Sequence, residues 1–220
     1  MTLHVLFFLS GVAALLYEVV WARSLGLVFG GSHLAVTTVL AVYMAGLALG
    51  GRLIGKRAEH HPHPLRLYAI LELGIALFAG IFLILVEHYA AIYAPLARLA
   101  SDHGAALTAI RVLFAVAGML VPTTLMGGTL PILVRCVERR DDLGRHLSLL
   151  YAVNTLGAAV GAVAAGFFLL ESLGAVRTSF VAIGLSCFVG IVGLVLPERA
   201  VTRKTASDMP AETTAVALDA

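Results

Sequence analysis

Six apolar stretches, each about as long as a bilayer is thick, limit this chain to one kind of fold. They cover residues 3–29, 32–53, 65–86, 107–133, 147–170 and 178–196. A helix needs about 20 mostly apolar residues to cross a hydrocarbon core. Inside lipid every backbone N–H and C=O must be satisfied within its own segment, which an α-helix does. The sequence therefore predicts an all-α, polytopic membrane bundle of six transmembrane helices over residues 1–196. Residues 197–220, rich in Ala, Thr, Asp and Glu, read as a flexible cytoplasmic tail or linker. Only Gly30, Gly31 and Ser32 separate the first two stretches, which predicts a tight antiparallel hairpin.

Composition agrees with this. Hydrophobic residues make up 60% of the chain, charged residues 13%, and the mean hydropathy is +0.97. A soluble domain carries about 25% charged residues. The net charge of +2 is too small to point to nucleic acid. No Lys or Arg precedes the first apolar run, and that run is too long for a signal peptide, so it is read as a retained first helix.

The basic residues fall unevenly. Arg52, Lys56, Arg57 and Arg66 surround the second loop, and Arg135, Arg139, Arg140 and Arg145 the fourth. Arg199, Arg203 and Lys204 follow helix six. With six spans, all of these share one side, and only Arg23, Arg98, Arg111 and Arg177 lie toward the other. The side rich in Lys and Arg is cytoplasmic, so both termini are expected in the cytoplasm. The external loop at 87–106 carries Tyr89, Tyr93 and Pro95, which suits a short interfacial helix.

Ionisable groups inside apolar stretches cost about 2.5–3.5 kcal/mol each on the insertion scale, so they face the bundle interior or a cavity. Here they are Glu18, Arg23, Glu72 and Arg111, with Asn154, Thr123 and Thr124 as uncharged polar companions. At about 1.5 Å per residue, Glu18 falls near the midplane, slightly toward the outside, Arg23 and Arg111 lie about 10 Å farther out, and Glu72, Asn154, Thr123 and Thr124 lie somewhat inside the midplane. Two readings stay open: ionic glue between helices, or a substrate or proton site. Under the first, Glu18 pairs with Arg111 rather than Arg23, because residues five apart project about 140° from each other on one helix. Tyr17 and Trp21 flank Glu18, so an aromatic-lined pocket for a cation also fits.

Gly46 with Gly50, and Gly157 with Gly161, form two GxxxG pairs, which let helix backbones approach closely in lipid. The stretches around them, 41–50 and 152–161, resemble each other and lie in helices two and five. Such an echo is what an inverted three-plus-three repeat produces. In helix four, Pro122 and Pro131 bracket Gly127 and Gly128, so that helix is expected to kink or break. Cys136 and Cys187 have no metal-ligand spacing, and His60, His61 and His63 sit in a short loop without a carboxylate cluster. No metal site, cofactor motif or catalytic constellation is expected.

Four segments together resemble a known family. They are Glu18-Val-Val-Trp21-Ala-Arg23, Gly46-Leu-Ala-Leu-Gly50-Gly51-Arg52, Pro122-Thr-Thr-Leu-Met-Gly127-Gly128-Thr-Leu-Pro131, and Tyr151-Ala-Val-Asn154-Thr-Leu-Gly157-Ala-Ala-Val-Gly161. In this order they resemble the membrane region of bacterial proteins that fuse a major-facilitator-like transporter portion to a spermidine synthase. The resemblance implies a membrane module, like half a major facilitator, that anchors or supplies a cytoplasmic aminopropyltransferase-like domain. The nucleotide-binding loop of such a domain has no counterpart in this sequence, so spermidine synthase activity is not expected of these residues. The basic Arg52-Leu-Ile-Gly55-Lys56-Arg57 turn is similar to the corresponding major-facilitator loop but lacks its Asp. The alternative is a half-size transporter of a small cationic metabolite acting as a dimer. Expected partners are the lipid bilayer, a second copy or second membrane half, and the cytoplasmic catalytic domain.

Overall fold

The computed structural model describes residues 2–29, 33–58, 61–99, 104–137 and 143–197. The Gly30–Gly31–Ser32 turn, Glu59, His60, Arg139, Arg140 and the tail with Arg199, Arg203 and Lys204 lie outside them. The described residues are helical apart from short connections. In order come α1 (Thr2–Val28), α2 (His33–Ala58), α3 (Pro64–Glu87), α4 (Tyr89–Leu99), α5 (Gly104–Val137), α6 (Leu143–Val163), a π-helical turn (Ala164–Leu169) and α7 (Leu170–Val195). Five runs are long and apolar enough to cross a membrane: α1, α2, α3, α5 and the continuous run Gly144–Val195.

That last run has 52 residues. As a straight helix it would reach about 78 Å, far beyond a hydrocarbon core of about 30 Å. It does not stay straight. Gly174 takes φ 77° and ψ 173°, a backbone conformation that only glycine adopts readily, and the helix breaks there. The contacts give the directions of the two legs. Gly157 and Gly161 on α6 lie against Phe8 and Val12, so α6 runs parallel to α1. Gly190 meets Leu73 and Gly193 meets Ala69, while Gly80 meets Ile183, so α7 runs antiparallel to α3. Ser10 bonds Glu72 and the Tyr68 hydroxyl reaches the Leu6 carbonyl, so α1 and α3 are themselves parallel. The chain therefore reverses at Gly174. The reversal takes one residue, where the sequence suggested a linker between 170 and 178.

The same logic orders the remaining legs. Gly46, Gly50 and Gly55 pack in turn on Thr123, Thr124 and Pro131, making α2 parallel to α5. Gly118 meets Phe82 and Gly74 meets Leu125, making α5 antiparallel to α3. One set of three legs (α1, α3, α6) runs one way and the other (α2, α5, α7) runs back. The main pairings are α2 with α5, α1 with α6, α3 with α7, α3 with α5, and α1 with α7.

α5 stays one continuous α-helix through Pro122 and Pro131, so the expected interruption is at most a bend and not a break. The threonines beside the prolines bond back to the preceding turn. Thr123 donates to the Met119 carbonyl at 2.8 Å, Thr124 to Leu120 at 2.6 Å, and Thr129 to Met126 at 2.7 Å. These are local hydroxyl bonds to carbonyls of the preceding turn, a common way for threonine to satisfy its hydroxyl inside an apolar helix.

Two apolar clusters fill the bundle, one at each end. One joins Leu3, Leu6 and Phe7 with Leu65, Tyr68, Ile132, Leu133, Leu150 and Val189. The other joins Ala13 through Phe29 on α1 with Val39, Phe82, Met119, Ala165 and Ala182. Arg52, Lys56, Arg57, Arg66, Arg135 and Arg145 fall at the first end, and Arg23, Arg98, Arg111 and Arg177 at the second.

Candidate functional site

Between the two clusters lies a polar layer, and it opens into a cavity of about 340 Å³. All six legs contribute. α1 supplies Ser10, Tyr17 and Glu18, α2 supplies Tyr43, α3 supplies Glu72, α5 supplies Thr129, α6 supplies Asn154, and α7 supplies Ser186. The reason is register. Each leg carries its polar residue between an apolar set that packs toward one end and a set that packs toward the other. Glu72, for example, stands between Leu71 of the first cluster and Ile75 of the second.

Glu72 is 1% exposed and accepts a 2.5 Å hydrogen bond from the Ser10 hydroxyl. Tyr68 and Ser186 lie beside it. Tyr43 donates to the Ala14 carbonyl at 3.2 Å, which fixes its ring across the cavity wall. The Tyr17 hydroxyl is buried and has no hydrogen-bond partner, with Ser186 alongside. Its ring stacks on Trp21 at 5.3 Å, and Trp21 meets Phe82 edge-on at 5.5 Å, so Tyr17 cannot swing away freely. Glu18 is half-buried on the cavity wall. Among the described residues the lining holds two carboxyls and no Lys, Arg or His.

The remaining polar candidates are elsewhere. Arg111 does not meet Glu18. It donates to the Tyr93 hydroxyl at 3.0 Å and lies over the Tyr93 ring, 5.3 Å from its centroid. The expected Glu18–Arg111 ion pair is thus replaced, because α4 folds back and offers Arg111 an aromatic face and an oxygen. Tyr89 stacks on Tyr93 and touches Phe114, completing that outer cluster. Arg23 is exposed on α1. Thr123 and Thr124 sit at the α2–α5 crossing, outside the cavity.

The four glycines mark two helix crossings. Gly46 lies against Thr123, and Gly50 against Thr124 and Gly127, where an added Cβ would stand 2.8 Å from the Thr124 carbonyl carbon. Gly157 and Gly161 lie against the Phe8 and Val12 backbones, where an added Cβ would stand 3.0 Å from each carbonyl carbon. Gly11 faces Asn154 in the same crossing and seats that amide at the cavity edge.

Sequence reasoning alone placed Glu18, Glu72 and Asn154 at two depths, and the structure brings all three to one cavity. It passed over Ser10, Tyr43, Thr129 and Ser186. A lone hydroxyl inside an apolar run was the available signal for the two serines.

With this geometry in hand, known proteins sharpen the picture. The chain is similar to polyamine aminopropyltransferases. Those of two Mycobacterium tuberculosis strains and of Mycobacterium bovis are each 31% identical to it over 183 residues, which is 77% of this chain. The chain spans 31% of the length of these relatives. No family model and no solved structure matches it.

Proposed function

We propose that this chain is the membrane module of a polyamine aminopropyltransferase-like protein, anchoring or supplying a cytoplasmic catalytic domain. The observation that carries the reading is the pattern of the match. It covers most of an apolar helical bundle yet under a third of the relatives' length. Aminopropyl transfer needs a site for a nucleotide-like donor, and the residues lining the cavity include no phosphate or nucleotide loop. The pure chain, given putrescine and decarboxylated S-adenosylmethionine, is expected to form no spermidine above a protein-free blank. Spermidine that accumulates in proportion to the chain would overturn this.

The module is placed in the inner membrane with both termini cytoplasmic, on the grounds of its basic residues. A reporter active only in the periplasm should be silent when fused after Ala220 and active when inserted within 96–104. An active fusion after Ala220 reverses the topology.

A second reading has its own support. The helix pairings are related by exchange of the first three legs with the last three. α1 with α6 becomes α5 with α2, and α3 with α5 becomes α7 with α1. That is the pattern of an inverted repeat, and in such transporters the substrate sits near the midplane where the repeats meet. In support of this reading, the cavity lies between the two apolar clusters, is lined by all six legs, and carries only acidic ionisable side chains besides its tyrosines. On this reading the chain is half of a transporter for a small cation, completed by a second copy or a second half.

A further inference from the structure

We infer that Arg111, Tyr89 and Tyr93 form a binding site for the phosphodiester headgroup of an anionic phospholipid, at the end of the bundle away from the basic loops. The site is separate from the central cavity, whose lining includes none of the three. Arg111 stands in an apolar helix, where a charge needs a counter-charge or water. Among the described residues its one hydrogen-bond acceptor is the neutral Tyr93 hydroxyl at 3.0 Å, and no carboxylate pairs with it. Its Nε is buried without a hydrogen-bond partner, and so is the Tyr89 hydroxyl, which lies beside the guanidinium. The Tyr93 hydroxyl accepts from Arg111 and keeps its own hydrogen to donate. Three donor groups thus gather at one place where an anionic acceptor is missing. Arg111 is half-buried rather than sealed, so a ligand can reach the guanidinium.

Ring contacts hold these donors in place. Tyr89 and Tyr93, one turn apart on α4, stack at 5.0 Å. Tyr89 also meets Phe114 of α5 edge-on at 5.0 Å, and Arg111 lies 5.3 Å over the Tyr93 ring. The ligand class follows from charge and shape. A guanidinium meets a phosphate with paired N–H···O bonds, and a phosphodiester carries one negative charge on two free oxygens, which balances one guanidinium. Depth agrees. Arg111 lies seven positions into α5, about 10 Å along the axis, from which an arginine reaches headgroup level. Tyrosines are also at home at that level. Ile84, Ile92 and Leu113 are exposed on α3, α4 and α5 at this end. Acyl chains tied to the phosphate gain apolar contacts there that free phosphate lacks.

The test is fluorine NMR of the full chain, labelled with fluorotyrosine, in neutral detergent micelles. The probes are short-chain phosphatidylglycerol, short-chain phosphatidylcholine and inorganic phosphate. The Tyr89 and Tyr93 resonances, assigned through their Phe variants, should shift saturably with phosphatidylglycerol. Phosphatidylcholine should need at least about fivefold more lipid, and inorganic phosphate at the same concentrations should shift neither resonance. Arg111→Gln should raise the phosphatidylglycerol midpoint read at Tyr93 at least about tenfold. Arg23→Gln, exposed at the same end, should leave it within about twofold. If Arg111→Gln does not fold, Tyr89→Phe carries the test. Its hydroxyl has no partner to lose, so the thermal midpoint without lipid should hold while phosphatidylglycerol binds at least about threefold more weakly. Parent-like binding by the folded variants, or equal midpoints for the two lipids, would overturn the inference. A shift with inorganic phosphate equal to that with phosphatidylglycerol would assign the site to free phosphate and overturn the lipid.

Discussion

Replacing Gly157 with leucine is expected to lower the thermal midpoint of the detergent-purified chain by about 6–12 °C, from a loss of about 3 kcal/mol. The reason is the partner it touches. Gly157 packs on the backbone of Phe8, not on a flexible side chain, so the intruding carbons have nothing to push aside but α1 itself. Moving α1 away from α6 also withdraws Gly11 from Asn154 and opens the contact of Gly161 with Val12. Between helices in lipid, close packing of small residues is a main source of association energy, and this change forfeits it along the crossing. Gly184 is the control. It is exposed on α7 with nothing near its Cβ position, so Gly184→Leu should leave the midpoint within about 2 °C. A Gly157→Leu protein that melts with the parent would sink the crossing as a stability determinant. Gly46→Leu should behave like Gly157→Leu, because Gly46 faces Thr123 in the equivalent crossing of α2 and α5.

Much of this architecture is legible in the sequence because apolar length is a blunt signal. The helical bundle follows from six runs that no soluble core could bury, and the structure is all-helical with runs long and apolar enough to cross a membrane. What the sequence hides is azimuth. Depth along the sequence leaves Glu18 and Arg111 within side-chain reach of a pairing, yet depth says nothing of which way a side chain points around its helix. Arg111 turns to Tyr93, and Glu18 turns to the cavity. The same blindness concealed Ser10 and Ser186. Each is one small hydroxyl in an apolar run, and only the assembled bundle places them beside Glu72. The prolines of α5 suggested a break that the helix does not have. Each proline removes one N–H but leaves the neighbouring turns their own bonds, so α5 remains continuous through both.

Replacing Gly174 with valine is expected to cost about 3 kcal/mol and to misdirect the last leg. At φ 77° and ψ 173°, Gly174 occupies a region that is essentially reserved for glycine, and a β-branched residue there is strained whatever the space around it. Space is not the issue, since nothing lies within 4 Å of the Cβ position. The effect is therefore purely conformational, unlike that of Gly157. Relief of the strain lies in continuing the helix, because Gly174 is the one non-helical residue between helical Leu173 and helical Ala175. A straightened helix carries Thr178, Ser186 and Val189 away from α1 and α3, so the cavity loses Ser186 and the α3–α7 contact at Gly190 and Gly193 dissolves. Two measurements separate this from simple destabilisation. Limited proteolysis should cut Gly174→Val within 175–195 while sparing Gly184→Val. A cysteine pair introduced at Leu73 and Gly190, which touch in the parent, should cross-link in the parent background and lose most of that cross-linking beside Gly174→Val. Full cross-linking in the variant would mean that the turn tolerates valine, and the single-residue reversal at Gly174 would no longer explain how the last two legs come to lie antiparallel.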